Sequence, residues 1–257
     1  MKVEIFTQGK NDPKNEDKFG YSETSFVVSD GATDKTGLSF NGKTGGEIIA
    51  QLIVDETINT NLSGKDLVEY LTKKVVNLYN EINPEAIMDS KKRFAATVVC
   101  VRIENEKVLV TQVGDTSFRI NGSDLYANNK VIDDINAKAR SEYIKETGDI
   151  LGGREHIMEN LKKQYMYQNN MNSEFGYGCI DGLEVPEKFV NFFEFSLSDV
   201  KTIELISDGY FSIPDEVSID AYEEEYKKVE EEDPDKYIKY LSTKSKDDRT
   251  IVIIRNI

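Results

Sequence analysis

The chain has 257 residues, of which 39% are hydrophobic, and it carries a net charge of −15 at pH 7. This length is sufficient for one sizeable core, and no linker-like segment divides the sequence, so we expect a single domain over residues 1–257. The acidic balance excludes a nucleic-acid-binding protein, because the recognition of phosphate backbones requires clustered basic residues.

The apolar runs are of strand length, which predicts neither a signal peptide nor a membrane span. We therefore expect a cytoplasmic protein without membrane contact, and a monomer. Cys100 and Cys179 have no metal-binding spacing and the chain has one histidine, so a zinc site is not expected. Both cysteines are predicted to be free thiols, with Cys100 in the core.

The first third of the chain predicts strands followed by helices. Strands are predicted at residues 3–7 and 25–29. Residues 45–60 and 64–82 place apolar side chains near a 3.6-residue period, which is typical of amphipathic helices. Two helices are thus expected after the second strand.

The middle of the chain predicts three further strands, at residues 95–102, 107–113 and 117–120. Their connections have hairpin length, which predicts an antiparallel meander. Residues 133–172 are polar and partly helical. Gly148, Gly152 and Gly153 interrupt this segment, so we expect an excursion over the surface.

The last part of the chain predicts strands at residues 189–197, 201–206 and 249–255. An acidic helical region is expected between them, over residues 214–241. This order of elements favours an α+β protein in which antiparallel sheets are stacked with helices outside.

Three widely separated strands of this scheme each carry an aspartate at one end. Asp30 and Asp208 follow apolar strands, and Asp247 precedes the last one. Strand ends that meet in space bring their carboxylates together, and hard oxygen ligands are what Mg²⁺ or Mn²⁺ requires. The pattern therefore predicts a carboxylate-metal enzyme.

Five motifs stand in a fixed order along the chain: Asn15-Glu16-Asp17, Asp30-Gly31, Gly114-Asp115-Thr116, Ser207-Asp208-Gly209 and Asp247-Asp248-Arg249-Thr250. Together they resemble the motifs of the metal-dependent protein phosphatases, the protein phosphatase 2C family, over nearly the whole chain. The resemblance implies two stacked antiparallel β-sheets flanked by helices, a four-layer αββα sandwich. It also implies hydrolysis of phosphoserine and phosphothreonine in proteins by a water that bridges two Mn²⁺ or Mg²⁺ ions.

The resemblance further implies a role for each matching residue. Asp30 would bridge both ions. Glu16 and the carbonyl of Gly31 would bind the second ion, whereas Asp208 and Asp247 would bind the first. Asp30, Asp208 and Asp247 are thereby the predicted catalytic residues.

Two more acidic residues match the family pattern. Asp17 would act on a metal through a coordinated water, and Asp115 would bind a weaker third ion. The implied partner is a phosphoprotein substrate, which links the chain to a pathway that contains a protein kinase.

The sequence departs from the family pattern at substrate-binding positions. Ala32 stands where many members have a histidine that serves as a general acid, and His156 lies in the surface excursion, where we expect a solvated loop residue. Asp12 replaces the phosphate-binding arginine. Lys10 or Lys14 is the predicted stand-in, although a lysine does not reproduce the bidentate fork of arginine.

An insertion at residues 32–44 follows the first aspartate motif, and it leaves two other interpretations open. Residues 37–44 match the phosphate-binding loop pattern GxxxxGK[ST], which would indicate a nucleotide-binding protein. The intervening residues and the antiparallel meander argue against that interpretation. The missing histidine and arginine would also fit a catalytically weak or inactive sensor or scaffold with a phosphatase fold.

Overall fold

The computed structural model describes residues 1–10, 14–33, 37 and 39–257, so Asp12 and part of the insertion lie outside the described residues. The strands are β1 Lys2–Gln8, β2 Asp17–Tyr21, β3 Ser25–Gly31, β4 Ser39–Phe40, β5 Lys43–Thr44, β6 Ala96–Glu104, β7 Lys107–Val113, β8 Ser117–Ile120, β9 Asp124–Tyr126, β10 Val190–Ser196, β11 Thr202–Ile206 and β12 Arg249–Arg255. The helices are α1 Gly45–Ile58, α2 Gly64–Ile82, α3 Glu85–Met88, α4 Val131–Thr147, α5 Ile150–Lys162 and α6 Ile219–Glu232.

Ten of these strands form two five-stranded antiparallel sheets. Sheet I has the order β1-β12-β11-β8-β9, and sheet II has the order β10-β7-β6-β3-β2. The two remaining strands, β4 and β5, form a small hairpin by themselves. The predicted antiparallel sheets are therefore present.

The alternating direction of side chains along the strands divides the core into layers. In β3, Phe26 and Val28 pack with sheet I residues such as Leu205. Val27, between them, points to the opposite face and packs with Ile49 of α1. Successive side chains of a strand point to opposite faces, so sheet II is buried on both sides.

Helices close both outer faces of the sandwich. Helices α1 and α2 cover sheet II, and α6 covers sheet I through Tyr222, which packs with Ile251 and Ile253 of β12. The resulting layers run helix, sheet, sheet, helix. The predicted four-layer αββα sandwich is confirmed.

The predicted meander is wrong at its third strand. Strands β6 and β7 do pair with each other, but β8 pairs with β11, with Ile120 opposite Ile203. The connection at Gly114, where φ is +84°, carries the chain from sheet II to sheet I. A connection of hairpin length in the sequence does not distinguish a hairpin from a crossing between stacked sheets.

The surface excursion is more regular than its glycines predict. Gly148 ends α4 with φ +73°, but Gly152 and Gly153 lie inside α5. A Cβ on Gly153 would lie 2.5 Å from Cγ1 of Ile144 on α4. These glycines therefore do not break the helix, and Gly153 lets α4 and α5 pack closely.

Both cysteines are buried free thiols, as predicted. Cys100 lies on β6 in the core between sheet II and its helices. Within the residues that the structure describes, no helix is long and apolar enough to cross a membrane.

Candidate metal centre

Five predicted metal-binding residues lie at one end of the sandwich. Asp17 opens β2 directly opposite Asp30 of β3 in sheet II. Asp208 follows β11 and Asp247 precedes β12, and these two strands are neighbours in sheet I. Asp30, Asp208 and Asp247 line a cavity of about 560 Å³, together with Asp115 from the β7–β8 connection.

Asp248, for which the sequence predicted no separate role, ties the two sheets together at this end. Its carboxylate accepts the backbone N–H groups of Lys10 at 2.7 Å and Glu16 at 3.0 Å. It is only 2% exposed. The feature of the sequence that could have indicated this role is the pair of adjacent aspartates at 247–248. The carboxylate of Asp248 fixes the segment that leads into Asp17.

The buried carboxylates raise one another's pKa. Burial, reinforced by the charges of Asp208 and Asp247, raises the pKa of Asp17 to about 7. Burial together with neighbouring carboxylates also raises the pKa of Asp30 and that of Asp208 well above the ordinary value. Such a group of acids holds its negative charge easily only when a cation is present.

Glu16 is held by neutral and cationic partners in the structure. Its Oε1 accepts the hydroxyl of Thr44 at 2.7 Å, and its Oε2 accepts the hydroxyl of Thr33 at 2.6 Å and the ammonium of Lys10 at 3.1 Å. The same ammonium donates to Asp248 at 3.2 Å. The charge of Lys10, predicted to bind substrate phosphate, is therefore already paired.

Lys244 is the cation nearest to Asp247. Its ammonium contacts Oδ2 of Asp247. Burial would lower the pKa of this ammonium, but attraction by Asp247, Asp208 and Asp30 outweighs burial and raises it. The sequence pattern assigned no role to Lys244, although this residue stands three positions before Asp247.

Asp115 has a similar cationic neighbour. Lys130 Nζ lies 2.9 Å from its Oδ2, while Oδ1 is buried without a hydrogen-bond partner in the described chain. Burial would raise the pKa of Asp115, but the ammonium of Lys130 outweighs burial and lowers it. One free oxygen thus remains for the weaker third ion that the resemblance implies.

The donor set fits divalent cations by its chemistry. Both carboxylate oxygens of Asp17 are buried and have no hydrogen-bond partner in the described chain, and hydrogen bonds from metal-bound water would satisfy them. Yet no three histidine, cysteine or carboxylate side chains of the described residues are grouped closely enough to hold a metal ion. Lys10 pairs with Glu16 and Asp248, and Lys244 pairs with Asp247.

Only some of the other residues considered for the substrate site lie at the cavity. Gly31 and Ala32 both line the cavity. Lys14 is exposed and, like Lys10, is not among the described residues that line the cavity. His156 is exposed but lies on α5 rather than in a loop, with its ring 4.6 Å from that of Tyr143. Its loop assignment is corrected, and it does not line the cavity either.

The segment that matches a phosphate-binding loop has another structure. Strands β4 and β5 form a hairpin, and Lys43 within it is exposed. Thr44 caps α1 in a capping box with Glu47, while its hydroxyl also donates to Glu16. The segment therefore begins a helix that packs on an antiparallel sheet, which is not the setting of a nucleotide-binding loop.

A family model described as protein phosphatase 2C matches residues 9–242. The chain belongs to the protein phosphatase 2C family. This confirms the predicted family and the predicted class of enzyme, a protein serine/threonine phosphatase. A search of curated proteins by sequence finds no match.

Solved phosphatase structures share the fold. A bacterial serine phosphatase aligns with a TM-score of 0.56 at 17% identity over 98% of this chain and 96% of its own. The serine/threonine phosphatase Stp1 from Staphylococcus aureus gives 0.54 at 16%, over 99% and 94%. The catalytic domain of the phosphatase PstP, in complex with two manganese ions, gives 0.50 at 13%, over 98% and 96%. These similarities confirm the fold class.

Proposed function

We propose that this chain is a Mn²⁺- or Mg²⁺-dependent phosphatase that hydrolyses phosphoserine and phosphothreonine in proteins. The observation that supports it is the group of buried, mutually repelling acids around the cavity, with both oxygens of Asp17 unpartnered in the described chain. The phosphatase PstP, which has the same fold, was solved with two manganese ions.

Each residue then has a distinct task. Asp30, Asp208 and Asp247 would hold two ions, with the Gly31 carbonyl as a further ligand, and Asp17 would accept a hydrogen bond from water. When bound, the ions would supply an acidified water as nucleophile and offset the charge on the phosphoryl oxygens.

A covalent route through a thiol does not fit the cavity. Cys179 is the one cysteine that lines it among the described residues. It is 1% exposed, and burial raises its thiol pKa well above the ordinary value. A buried thiol of raised pKa is a poor nucleophile at neutral pH, so direct attack by water is favoured.

Glu16 differs from the other predicted ligands in the partners that its carboxylate already has. Its carboxylate is 5% exposed and already bound by two hydroxyls and one ammonium. We propose that Glu16 serves the second ion after Lys10 has moved, and that it otherwise fixes Thr33 and Thr44 beside the cavity.

The test is phosphopeptide hydrolysis by the wild type, with added Mn²⁺ and with a chelator. We expect turnover only with the metal, and Asp30→Asn and Asp208→Asn should each lower kcat by at least about a hundredfold, since each removes a ligand charge. Asp124→Asn, an exposed aspartate on β9, should retain full activity. Equal turnover in the chelator would contradict the proposal.

An inactive sensor or scaffold remains the second candidate function. The observation that favours it is the placement of Lys10 and Lys244, which pair with Glu16 and Asp247 without a metal. A folded wild type that binds a phosphopeptide but releases no phosphate at saturating Mn²⁺ would establish this alternative.

Several finer expectations belong to the same proposal. The substrate would be a phosphoprotein, so a protein kinase must act before this chain in its pathway. The single domain over residues 1–257, the monomeric state and the cytoplasmic location stay predictions. Sedimentation of the purified chain tests the monomer directly.

A further inference from the structure

Lys244 stands out among the lysines near the acids. Its ammonium contacts Asp247, which is its one ion-pair partner in the described chain. Its side chain is 28% exposed and lines the cavity together with Asp30 and Asp208. Lys10, by contrast, is tied to Glu16 and Asp248, lies 3.8 Å from Oδ1 of Asp247, and is not among the described residues that line the cavity.

The two oxygens of Asp247 are both engaged. Oδ1 accepts the backbone N–H of Asp248 at 2.9 Å, and Oδ2 contacts the ammonium of Lys244. An ion that binds Oδ2 of Asp247 must approach the oxygen that Lys244 contacts, whereas an ion at Oδ1 would share that oxygen with the backbone N–H of Asp248. A divalent ion and an ammonium at one oxygen repel each other strongly, because their separation would be only a few ångströms.

We propose that Lys244 is an internal cation that competes with the metal at Asp247, so that binding of the first ion requires the ammonium of Lys244 to leave. This inference rests on the proposed two-ion site. Its consequence is a site with an intrinsically high metal demand, because each binding event must first break the contact between Lys244 and Asp247. Lys244 is thus a residue that sets metal affinity.

The test is a calorimetric titration of metal-free protein with Mn²⁺. Lys244→Met keeps the aliphatic stem and removes the charge, and it should lower the Mn²⁺ dissociation constant by about tenfold or more. Lys244→Arg keeps the charge and should resemble the wild type. Lys246→Met is the matched control, since Lys246 is exposed in the same loop and gives the same change in net charge.

A second measurement separates competition from a merely structural role. In chelator, Lys244→Met should melt several degrees below the wild type, because Asp247 loses its counter-charge beside Asp208 and Asp30. Saturating Mn²⁺ should abolish or reverse this difference. Lys244→Gln replaces Lys244→Met if that variant does not fold.

Each other outcome overturns the inference in a recognisable way. Equal Mn²⁺ affinity in the wild type and Lys244→Met would exclude competition. Equal tightening in Lys244→Met and Lys246→Met would show that only the overall charge matters. Absence of Mn²⁺ binding in all variants would contradict the proposed metal-dependent function itself, together with this inference.

Discussion

At the residue scale, two glycines allow the chain that follows the insertion to pack closely against the candidate metal centre. A Cβ on Gly31 would lie 2.3 Å from the carbonyl oxygen of Gly46, and a Cβ on Gly46 would lie 2.9 Å from Oε1 of Glu16. The start of α1 therefore packs backbone to backbone against the end of β3. Residues 39–44 of the insertion form the β4–β5 hairpin immediately before this contact.

The buried thiols give a prediction at the same scale. Burial raises the pKa of Cys100 to about 12 and that of Cys179 well above its ordinary value. Because a raised pKa lowers the fraction of reactive thiolate, neither should react with an aromatic disulfide reagent at pH 8. Denaturant should expose two thiols per chain. Rapid labelling of the native protein would show that the cavity opens as far as Cys179.

At the element scale, one buried ion pair joins two strands of sheet I to a helix. Arg119 of β8 donates from Nη2 to Glu204 of β11 at 2.6 Å. The hydroxyl of Tyr222, on α6, donates to the same Glu204 oxygen at 3.1 Å. Glu204 is fully buried and Arg119 is 4% exposed. The pair thus fixes α6 over the sheet whose strands lead to Asp208 and Asp247.

Removal of one charge from this pair should be costly. Glu204→Gln leaves the guanidinium of Arg119 buried without its counter-charge, and we expect a loss of about 3–5 kcal/mol in the free energy of unfolding. The control is Glu4→Gln, which removes the partner of Arg255 in a pair whose side chains are 29% and 27% exposed. That change should cost about 0–1 kcal/mol. Equal costs in denaturant unfolding would refute the assignment.

Elements with a strong local pattern were predictable from the sequence. Helix α2 and strand β12 have the predicted bounds, because their apolar residues follow one clear period. The crossing at Gly114 was not predictable, since it depends on which sheet buries Phe118. The placement of Gly153 inside a helix was not predictable for the same reason. The glycine is required by close packing against Ile144 of another helix, and such a contact is not visible in the local sequence pattern.

At the scale of the whole molecule, the candidate centre is assembled from both sheets. Asp17 and Asp30 belong to sheet II, whereas Asp208 and Asp247 flank strands of sheet I. The sequence predicted that Asp30, Asp208 and Asp247 meet, because each stands at the end of a predicted strand, whereas Asp17 was expected there only from the resemblance to the family. It did not predict Lys10 and Lys244 between them, since the placement of a flexible cationic side chain depends on the final packing of several loops.

A centre shared by both sheets predicts that metal binding stabilises the whole fold. Mn²⁺ at a hundred times its dissociation constant contributes about 2.7 kcal/mol when it binds only the folded state. For a chain of this size that corresponds to a rise of roughly 5–10 °C in melting temperature. Asp208→Asn should lose most of this rise, because it removes one ligand charge from sheet I.

The net charge of −15 makes the choice of control decisive in this experiment. Any salt reduces the repulsion among surface acids and can raise the melting temperature without specific binding. The comparison is therefore made with NaCl and with MgCl₂ at the same ionic strength as the Mn²⁺ sample. A specific two-ion site predicts a larger rise with Mn²⁺ or Mg²⁺ than with Na⁺ in the wild type, and no such excess in Asp208→Asn. An equal rise in melting temperature with Na⁺ in both proteins would show that the stabilisation comes from charge screening alone. The acids at the strand ends would then hold no ion that joins the two sheets.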